Sequence, residues 1–211
     1  MKKIHNIRTN YQFGSLSKSD LASSPIKQFK DWFSQIINLM IEPTAMTLST
    51  YSKRYGVDSR IVLLKEIKQD GFIFYTNYNS VKGKQISSNN NVSLSFFWPE
   101  LQRQVRVNGL AFKLSDAYST RYFKSRPKKS QISACISQQS EVVLSRNLME
   151  KQFNLMCQQF KNKSIPKPNY WGGYKVKPSC IEFWQGREDR LHDRFIYEKK
   201  DKKWVINRLY P

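Results

Sequence analysis

A group of cationic side chains near the C-terminal end of the sequence could bind an anion. If residues 190–195 form an extended strand, successive side chains point to opposite faces. One face then carries Arg190, His192 and Arg194. The other carries Leu191 and Phe195, which we expect to pack in a core, with Asp193 between them. Because like charges on one face repel and arginine suits phosphate and carboxylate, the stretch indicates an anion site. The alternative is an ordinary solvated strand face.

Two further strand-like stretches carry polar groups suited to a ligand. Arg60 and Lys65 bracket four apolar residues, and their odd separation predicts opposite faces of one strand. In the segment 102–107, Gln104 lies on the face opposite two valines, where its amide could contact the edge of a heterocycle. An apolar strand with charged ends is common, so the first stretch alone does not establish a site.

A strand that ends in a polar turn precedes a predicted helix at 80–89. The N-terminus of a helix attracts anions through its free N–H groups and its dipole. Thr76, Ser80 and Lys82 could contribute to such a site. A turn rich in Asn and Ser would look the same in a protein with no ligand there.

The segment 122–131 combines an aromatic hydroxyl, a guanidinium and a serine. Tyr122 and Arg126 are one helical turn apart. The following proline predicts a turn, after which Ser130 is expected to cap a helix over 131–137. These groups would form a phosphate pocket without a glycine-rich loop. The alternative is a helix–turn–helix with a capping serine.

Composition narrows the class of protein. The 211 residues contain 36 Lys and Arg against 16 Asp and Glu, a formal charge of +20, which favours nucleic acid or phosphorylated small molecules as partners. Only two histidines and three widely separated cysteines occur, so we predict no metal site, no disulfide framework and a reducing compartment. No apolar run approaches the ~18 residues that a membrane span requires. We therefore expect a cytoplasmic protein without a membrane partner.

Periodicity and turn residues predict the elements that must position these side chains. Helices are predicted from Pro25 to Met40 and at 80–89, 116–137 with a break at 126–127, and 144–160. In the last helix the expected core contacts are Leu148, Phe153, Met156 and Phe160. Strands are predicted at 44–50, 59–67, 72–76, 92–98, 102–114, 174–185, 191–197 and 203–209. Consecutive strands with short turns favour an antiparallel barrel or sandwich. We divide the chain into a flexible N-terminal arm, 1–22, and one domain, 23–211.

Several of these stretches together resemble the pyridoxamine 5′-phosphate oxidase family, FMN flavoproteins of vitamin B6 metabolism. The C-terminal motif IEFWQ followed by RLHDR carries the resemblance most strongly. The motifs RIVLLK, FYTN, RQV, YFKSRP, QS and NYWGGY occur in the family's order, and the resemblance extends from about residue 7 to the end.

The resemblance implies a mainly β protein, an antiparallel FMN-binding split β-barrel with flanking α-helices, which forms a homodimer with FMN at the subunit interface. It implies FMN contacts at Arg60, Ile61, Val62, Leu63, Leu64, Lys65, Tyr75, Thr76, Lys82, Gln104, Gln139, Ser140, Trp184 and Arg194. It implies substrate contacts at Arg8, Tyr11, Lys65, Tyr122, Arg126, Ser130, Arg190 and His192. Arg190 and His192 would lie over the substrate ring and carry the catalytic role.

The implied reaction oxidises pyridoxamine 5′-phosphate or pyridoxine 5′-phosphate to pyridoxal 5′-phosphate, with O₂ as acceptor and H₂O₂ as product. Two other hypotheses remain open at this stage. The net charge would suit nucleic-acid binding, although the basic residues lie in separate motifs and no recognition motif occurs. The chain could also be a flavin-binding barrel without oxidase activity.

Overall fold

The structure, a computed structural model, describes residues 3–6 and 9–211. Arg8, an expected substrate contact, lies outside the described residues. Among the described residues, no helix is both long enough and apolar enough to cross a membrane.

The chain folds mainly into β-strands, with five α-helices among the described residues. The strands are β1 Ala45–Ser52, β2 Gly56–Leu63, β3 Glu66–Lys68, β4 Gly71–Asn77, β5 Asn91–Trp98, β6 Arg103–Lys113, β7 Trp171–Gln185, β8 Asp193–Lys200 and β9 Lys203–Leu209. The helices are α1 Pro25–Ile36, α2 Val81–Ser88, α3 Asp116–Ser125, α4 Lys128–Ile136 and α5 Arg146–Gln159.

All the strand pairs described are antiparallel, and the main path through the sheet is β2-β1-β5-β6-β7-β4-β3. The 15-residue strand β7 joins two parts of the sheet. Its first half pairs with β4, and its second half pairs with β8, while β6 runs beside both halves. The sheet does not close within the described residues, and this arrangement confirms the predicted split barrel with flanking helices.

The hydrophobic core lies between the sheet and α1. Phe29 of α1 is fully buried and meets Phe72 and Phe96 edge to face, at centroid distances of 4.8 and 4.9 Å. Such aromatic contacts add to the free energy gained by burying the rings. A second, smaller cluster around Phe123 and Trp171 holds α3 and α4 against β7. These two cores fix the strands and helices that carry the candidate site.

The predicted strand 59–67 is in fact two strands. The main chain leaves β1 at Leu64, whose N–H donates to the carbonyl of Thr44, and joins β4 at Lys65, whose N–H donates to the carbonyl of Ile73. The prediction that Arg60 and Lys65 face opposite sides is therefore wrong. The break between β2 and β3 lets both side chains line one cavity.

The strand predicted around residues 190–195 begins later than expected. Asp189 and Arg190 have φ of 53° and 61°, so residues 188–190 form a turn instead of extended chain. β8 starts at Asp193. The prediction that Leu191 packs in a core is wrong, since its exposure is 70%, whereas Phe195 is 2% exposed, as predicted.

Two helix predictions also need correction. α1 ends at Ile36, short of Met40, because residues 37–40 form a turn. On α5, Leu148 is 37% exposed and does not pack as predicted, whereas Phe153, Met156 and Phe160 lie partly buried against the second cluster.

Candidate active site

A cavity of about 660 Å³ gathers most of the predicted cofactor residues, and we call it the basic cavity. Four cationic side chains line it: Arg60, Lys65, Lys82 and Arg126. The other predicted residues in its lining are Ile61, Val62, Leu63, Tyr75, Thr76, Tyr122, Gln139 and Ser140. No carboxylate is among the lining residues described, so the cavity favours an anionic ligand.

Lys82 is the most buried cation of the basic cavity. It lies in the first turn of α2, whose N-cap Ser80 accepts a hydrogen bond from the N–H of Gly83. The ammonium group lies 3.1 Å from Oε1 of Gln139 and 3.3 Å from Oγ of Ser80. Burial, and then the nearby Arg60 charge, lower the pKa of Lys82 to about 8. An anion in the cavity would offset this desolvation and keep the lysine charged.

A loop over residues 137–140 closes the cavity beside α2. The side-chain amide of Asn77 donates to the carbonyl of Ser137 at 3.1 Å, and the N–H of Val81 donates to Oγ of Ser140 at 3.3 Å. The hydroxyl of Thr76 donates to Gln139 at 3.2 Å. Gln139 and Ser140, predicted from a short motif, therefore lie beside Thr76 and Lys82.

Arg60 is already held by protein groups. Its guanidinium donates to the carbonyl of Leu48 at 3.1 Å and to Thr50 at 2.6 Å, and it pairs with Asp58 at 2.5 Å. A fourth bond joins it to Gln85 of α2 at 3.2 Å. Arg60 therefore ties β1, β2 and α2 together at the edge of the basic cavity, besides contributing charge.

Arg126 has a free hydrogen-bonding group in the same cavity. Its guanidinium lies over the ring of Trp171, 4.7 Å from the centroid, beside Tyr122. Its buried Nη1 has no hydrogen-bond partner among the residues that the structure describes. Burial lowers the pKa of Arg126, opposed in part by Tyr122. An unpaired buried guanidinium nitrogen is costly, so a small movement of this side chain toward a ligand oxygen in the cavity would be favourable.

Leu64 and Ser130 are among the predicted residues that do not line the basic cavity. The side chain of Leu64 is 3% exposed and belongs to the main core. Ser130 does not cap a helix as predicted, because α4 begins earlier, at Lys128. The N–H groups of Ser130 and Gln131 both donate to the carbonyl of Pro127, which places Ser130 inside the first turn.

A second cavity, of about 490 Å³, contains the predicted catalytic side chains, and we call it the arm cavity. It is lined by Thr9, Asn10, Tyr11, Arg187, Asp189, Arg190 and His192. The N–H of Arg187 donates to Nδ1 of His192 at 3.0 Å, so the proton of the neutral imidazole is on Nε2. Burial and then the Arg190 charge lower the pKa of His192, which favours this neutral form at pH 7.

Three predicted FMN contacts form a row across the sheet next to the arm cavity. Gln104 of β6 pairs with Trp184 of β7, which pairs with Arg194 of β8. The Trp184 ring lies 4.7 Å from that of His192, centroid to centroid. The row is not part of the lining of the basic cavity. Within one chain, the predicted site residues therefore lie in two separate groups.

A buried carboxylate orients Arg194. Glu182 is 7% exposed and lies between two guanidiniums, 2.9 Å from Nε of Arg194 and 3.2 Å from Nη1 of Arg106. The carbonyl of Tyr210 accepts a further bond from Arg194 at 2.7 Å. The arginine is thus fixed in place by β7 and the C-terminal segment.

Five further residues, which were not predicted from the sequence, line the basic cavity: Asn77, Ser133, Ala134, Ser137 and Trp171. Helical spacing could have revealed two of them, since Ser133 and Ser137 follow Ser130 at three and seven residues. Trp171 had no such local signal. Its position depends on pairing with Asn77 across β4 and β7, and its ring stacks 5.4 Å from that of Tyr75.

Two family models together match most of the chain. Residues 30–158 match the family model described as pyridoxamine 5′-phosphate oxidase, and residues 171–211 match the pyridoxine 5′-phosphate oxidase C-terminal dimerisation region. Among curated relatives, the pyridoxine/pyridoxamine 5′-phosphate oxidase of Hahella chejuensis is 50% identical and covers 99% of this chain and 100% of its own. A Vibrio cholerae protein of the same name is 44% identical, covering 99% of each chain.

Solved structures show the same fold. PhzG from Burkholderia lata, in complex with tetrahydrophenazine-1-carboxylic acid, has a TM-score of 0.87 at 26% identity, covering 93% of this chain and 98% of its own. A pyridoxamine 5′-phosphate oxidase-related, FMN-binding protein from Nostoc punctiforme has a TM-score of 0.73 at 13% identity, covering 90% and 100%, and supports the fold alone. The two family models and the full-length relatives establish that the chain belongs to the pyridoxamine 5′-phosphate oxidase family of oxidoreductases.

Proposed function

We propose that this protein is an FMN-dependent oxidase that converts pyridoxamine 5′-phosphate or pyridoxine 5′-phosphate to pyridoxal 5′-phosphate. O₂ is the electron acceptor and H₂O₂ the product. The proposal rests on membership of the family and on a cavity suited to phosphorylated ligands. The relatives that cover the full chain carry the name of this activity.

The observation that carries the proposal is the lining of the basic cavity, which has no carboxylate among the described residues but four cations: Arg60, Lys65, Lys82 and Arg126. Arg126, Lys65 and Tyr122 all line this cavity, and each of them can bind a phosphate oxygen. Lys82, with Gln139 and the N-terminus of α2, forms a second subsite that can bind an anion. Two such subsites fit two phosphorylated molecules, the cofactor and the substrate.

The proposed active site lies between two subunits of a homodimer. The basic cavity of one subunit would face the arm cavity of its partner, together with Gln104, Trp184 and Arg194. This arrangement explains why one chain carries the predicted residues in two separate groups. The match of residues 171–211 to a dimerisation region supports it, because β7, β8 and β9 carry the second group.

Bound FMN would supply the acceptor for the hydride equivalent removed from C4′ of the substrate and return the electrons to O₂. The side chains of this protein bind and orient. Arg126, Lys65 and Tyr122 hold the substrate phosphate, which fixes one end of the ring. Arg190 and His192 cover the ring, and the Nε2 proton of His192 makes it a hydrogen-bond donor to the substrate. Holding two flat rings face to face contributes much of the rate through orientation.

Purification followed by an absorbance spectrum and an assay in air tests the proposal. We expect a yellow protein, release of pyridoxal 5′-phosphate, and one H₂O₂ for each molecule of product. Pyridoxamine without its phosphate is the matched control substrate, and it should react far more slowly because Arg126 and Lys65 have no phosphate to bind.

Two results would contradict the proposal. One is a colourless protein that cannot be reconstituted with FMN. The other is a flavoprotein that oxidises tetrahydrophenazine-1-carboxylic acid but neither B6 phosphate. A flavoprotein with no oxidase activity at all would favour the non-catalytic hypothesis.

A further inference from the structure

Gln102 joins the N-terminal arm to the sheet. It is 8% exposed and lies in the left-handed region, with φ of 52°, at the end of the short turn before β6. Its side-chain Oε1 accepts the main-chain N–H groups of Gln12 at 2.8 Å and Phe13 at 3.1 Å. Its own carbonyl accepts the N–H of Gly186 at 2.8 Å. One residue therefore bonds both the arm and the end of β7.

The arm is attached to the sheet a second time at Leu16, four residues after Gln12. The N–H of Leu16 donates to Oδ2 of Asp193 at 3.0 Å, and its carbonyl accepts from Nη2 of Arg208 at 3.3 Å. Asp193 and Arg208 are themselves paired at 2.6 Å. Asp193 also pairs with Arg187 of the arm cavity at 3.0 Å. The ion pair thus holds the main-chain N–H and carbonyl of one arm residue, Leu16, next to that cavity.

Tyr11 comes directly before the residues that Gln102 holds. Its ring lies edge-on to Trp184 and to His192, with centroids 5.6 Å away in each case. It also packs tightly on Gly186, where a Cβ atom would lie 2.8 Å from Cγ of Tyr11. Gly186 is thus needed for close approach of the tyrosine. The position of this wall of the arm cavity depends on where Gln12 and Phe13 are held.

We propose that Gln102 and the Asp193–Arg208 pair are positioning residues, which act on the substrate by holding Tyr11 against His192 and Trp184. Gln102 does not line either cavity. Its effect passes through the arm, because its Oε1 is the acceptor for the two N–H groups that follow Tyr11. The inference rests on the proposed function for the identity of the substrate, but the attachment of the arm can be measured without turnover.

Two substitutions at Gln102 separate the hydrogen bonds from the shape of the side chain. Gln102→Glu keeps an oxygen acceptor at the same position, and Gln102→Met keeps the length but removes the acceptor. Both variants share the left-handed backbone, so its strain cancels in the comparison. Only the methionine variant should release the arm.

Hydrogen exchange in the FMN-loaded protein measures the attachment directly. We expect protected amides at Gln12 and Phe13 in the wild-type protein and in Gln102→Glu, and exchange about tenfold faster or more in Gln102→Met, since two hydrogen bonds are lost. Equal exchange in the two variants would overturn the proposal, whatever the enzyme activity.

Steady-state kinetics test the step from the arm to the substrate. Gln102→Met should raise KM for pyridoxamine 5′-phosphate about tenfold while FMN affinity and Tm stay near the wild-type values, and Gln102→Glu should behave like the wild type. In a double-mutant cycle with Tyr11→Ala, the second substitution should add little, because both act on one contact. Fully additive effects, or a fall in Tm that accounts for the loss, would show that Gln102 does not act through Tyr11. Failure of the oxidase assay in the wild-type protein would concern the proposed function instead.

Discussion

The basic cavity and the arm cavity are built in different ways. Regular elements form most of the basic cavity: β2 and α2 carry Arg60 and Lys82, and β4 carries Tyr75 and Thr76. Lys65 and Arg126 lie in short connections directly after β2 and α3, and hydrogen bonds from Asn77 and Val81 hold the loop over residues 137–140. The arm cavity consists of a turn with two residues at positive φ and a stretch of the N-terminal arm. The first cavity follows from the fold itself, whereas the second depends on a few hydrogen bonds and ion pairs. Segments attached in this way open at lower free-energy cost than a sheet does.

This difference predicts that substitutions in the basic cavity abolish ligand binding with little structural change. Arg126→Met should lower kcat/KM for pyridoxamine 5′-phosphate by about 10²–10⁴-fold, because a charge-assisted hydrogen bond contributes about 1.5–3 kcal/mol and two would be lost. The free protein should lose little stability, since the guanidinium gives up its contact with the Trp171 ring but Nη1 has no hydrogen-bond partner among the described residues. Arg121→Met, on the exposed side of α3, is the matched control. A similar loss in both variants, or a large fall in Tm for Arg126→Met alone, would contradict this role.

A substitution in the arm cavity should leave the cofactor in place. Arg190→Met is expected to retain the yellow FMN and lose most of kcat/KM, about 10²-fold, because the substrate ring loses the group that covers it. Absorbance of the purified variant and its turnover check both parts. Unchanged turnover would remove Arg190 from the site.

The row formed by Gln104, Trp184 and Arg194 allows a test in which folding stability and FMN affinity should both change. Glu182→Gln removes the charge that holds Arg194 and Arg106, both partly exposed, so the expected cost is about 1–3 kcal/mol of folding free energy. FMN affinity should fall about tenfold as Arg194 loses its orientation. Glu198→Gln on β8 is the control, and it should change neither quantity. Wild-type FMN affinity in Glu182→Gln would show that Arg194 needs no support from the carboxylate.

The smallest effect concerns pH. Because the pKa of Lys82 in the free protein is lowered to about 8, FMN affinity should fall as pH rises above 8, by up to tenfold per unit. Folding stability of the free protein should change in the opposite direction. Between pH 8 and the ordinary lysine pKa of about 10.4, the unfolded chain binds more protons, so this group makes stability rise with pH.

FMN titrations at several pH values measure the first trend, and unfolding of the FMN-free protein measures the second. Lys82→Met should remove both, whereas Lys84→Met, in the exposed part of the same helix, should keep both. The same pH dependence in Lys82→Met would assign it to another group.

Local sequence patterns were sufficient for much of the fold. The strand predicted at 203–209 has the observed bounds of β9, because the alternation of side chains and the preceding turn are both local. The break after Arg126 was likewise predicted from the proline that follows it. The break at Leu64 was not, since it depends on bonds to Thr44 and Ile73, which are distant in sequence.

The candidate site shows the same limit. Helical spacing correctly predicted that Tyr122 of α3 and Arg126, which follows the last residue of that helix, lie on one side, where both line the basic cavity. Alternation failed at Leu191, because positive φ values at Asp189 and Arg190 interrupt the strand, and residue types alone do not reveal them. Trp171 was missed because its neighbours in the cavity come from β4 and α3.

The central claim is that each active site combines the basic cavity of one subunit with the arm cavity of its partner. Heterodimers of an Arg126→Met subunit and an Arg190→Met subunit test it most directly, with the two chains carrying different affinity tags. One site of such a dimer would contain both lesions, and the other would contain neither. We therefore predict that the purified heterodimer regains about half of the wild-type activity, although each variant alone is nearly inactive. A heterodimer no more active than its parent variants would contradict the account, because it would place both arginines in a site within one subunit.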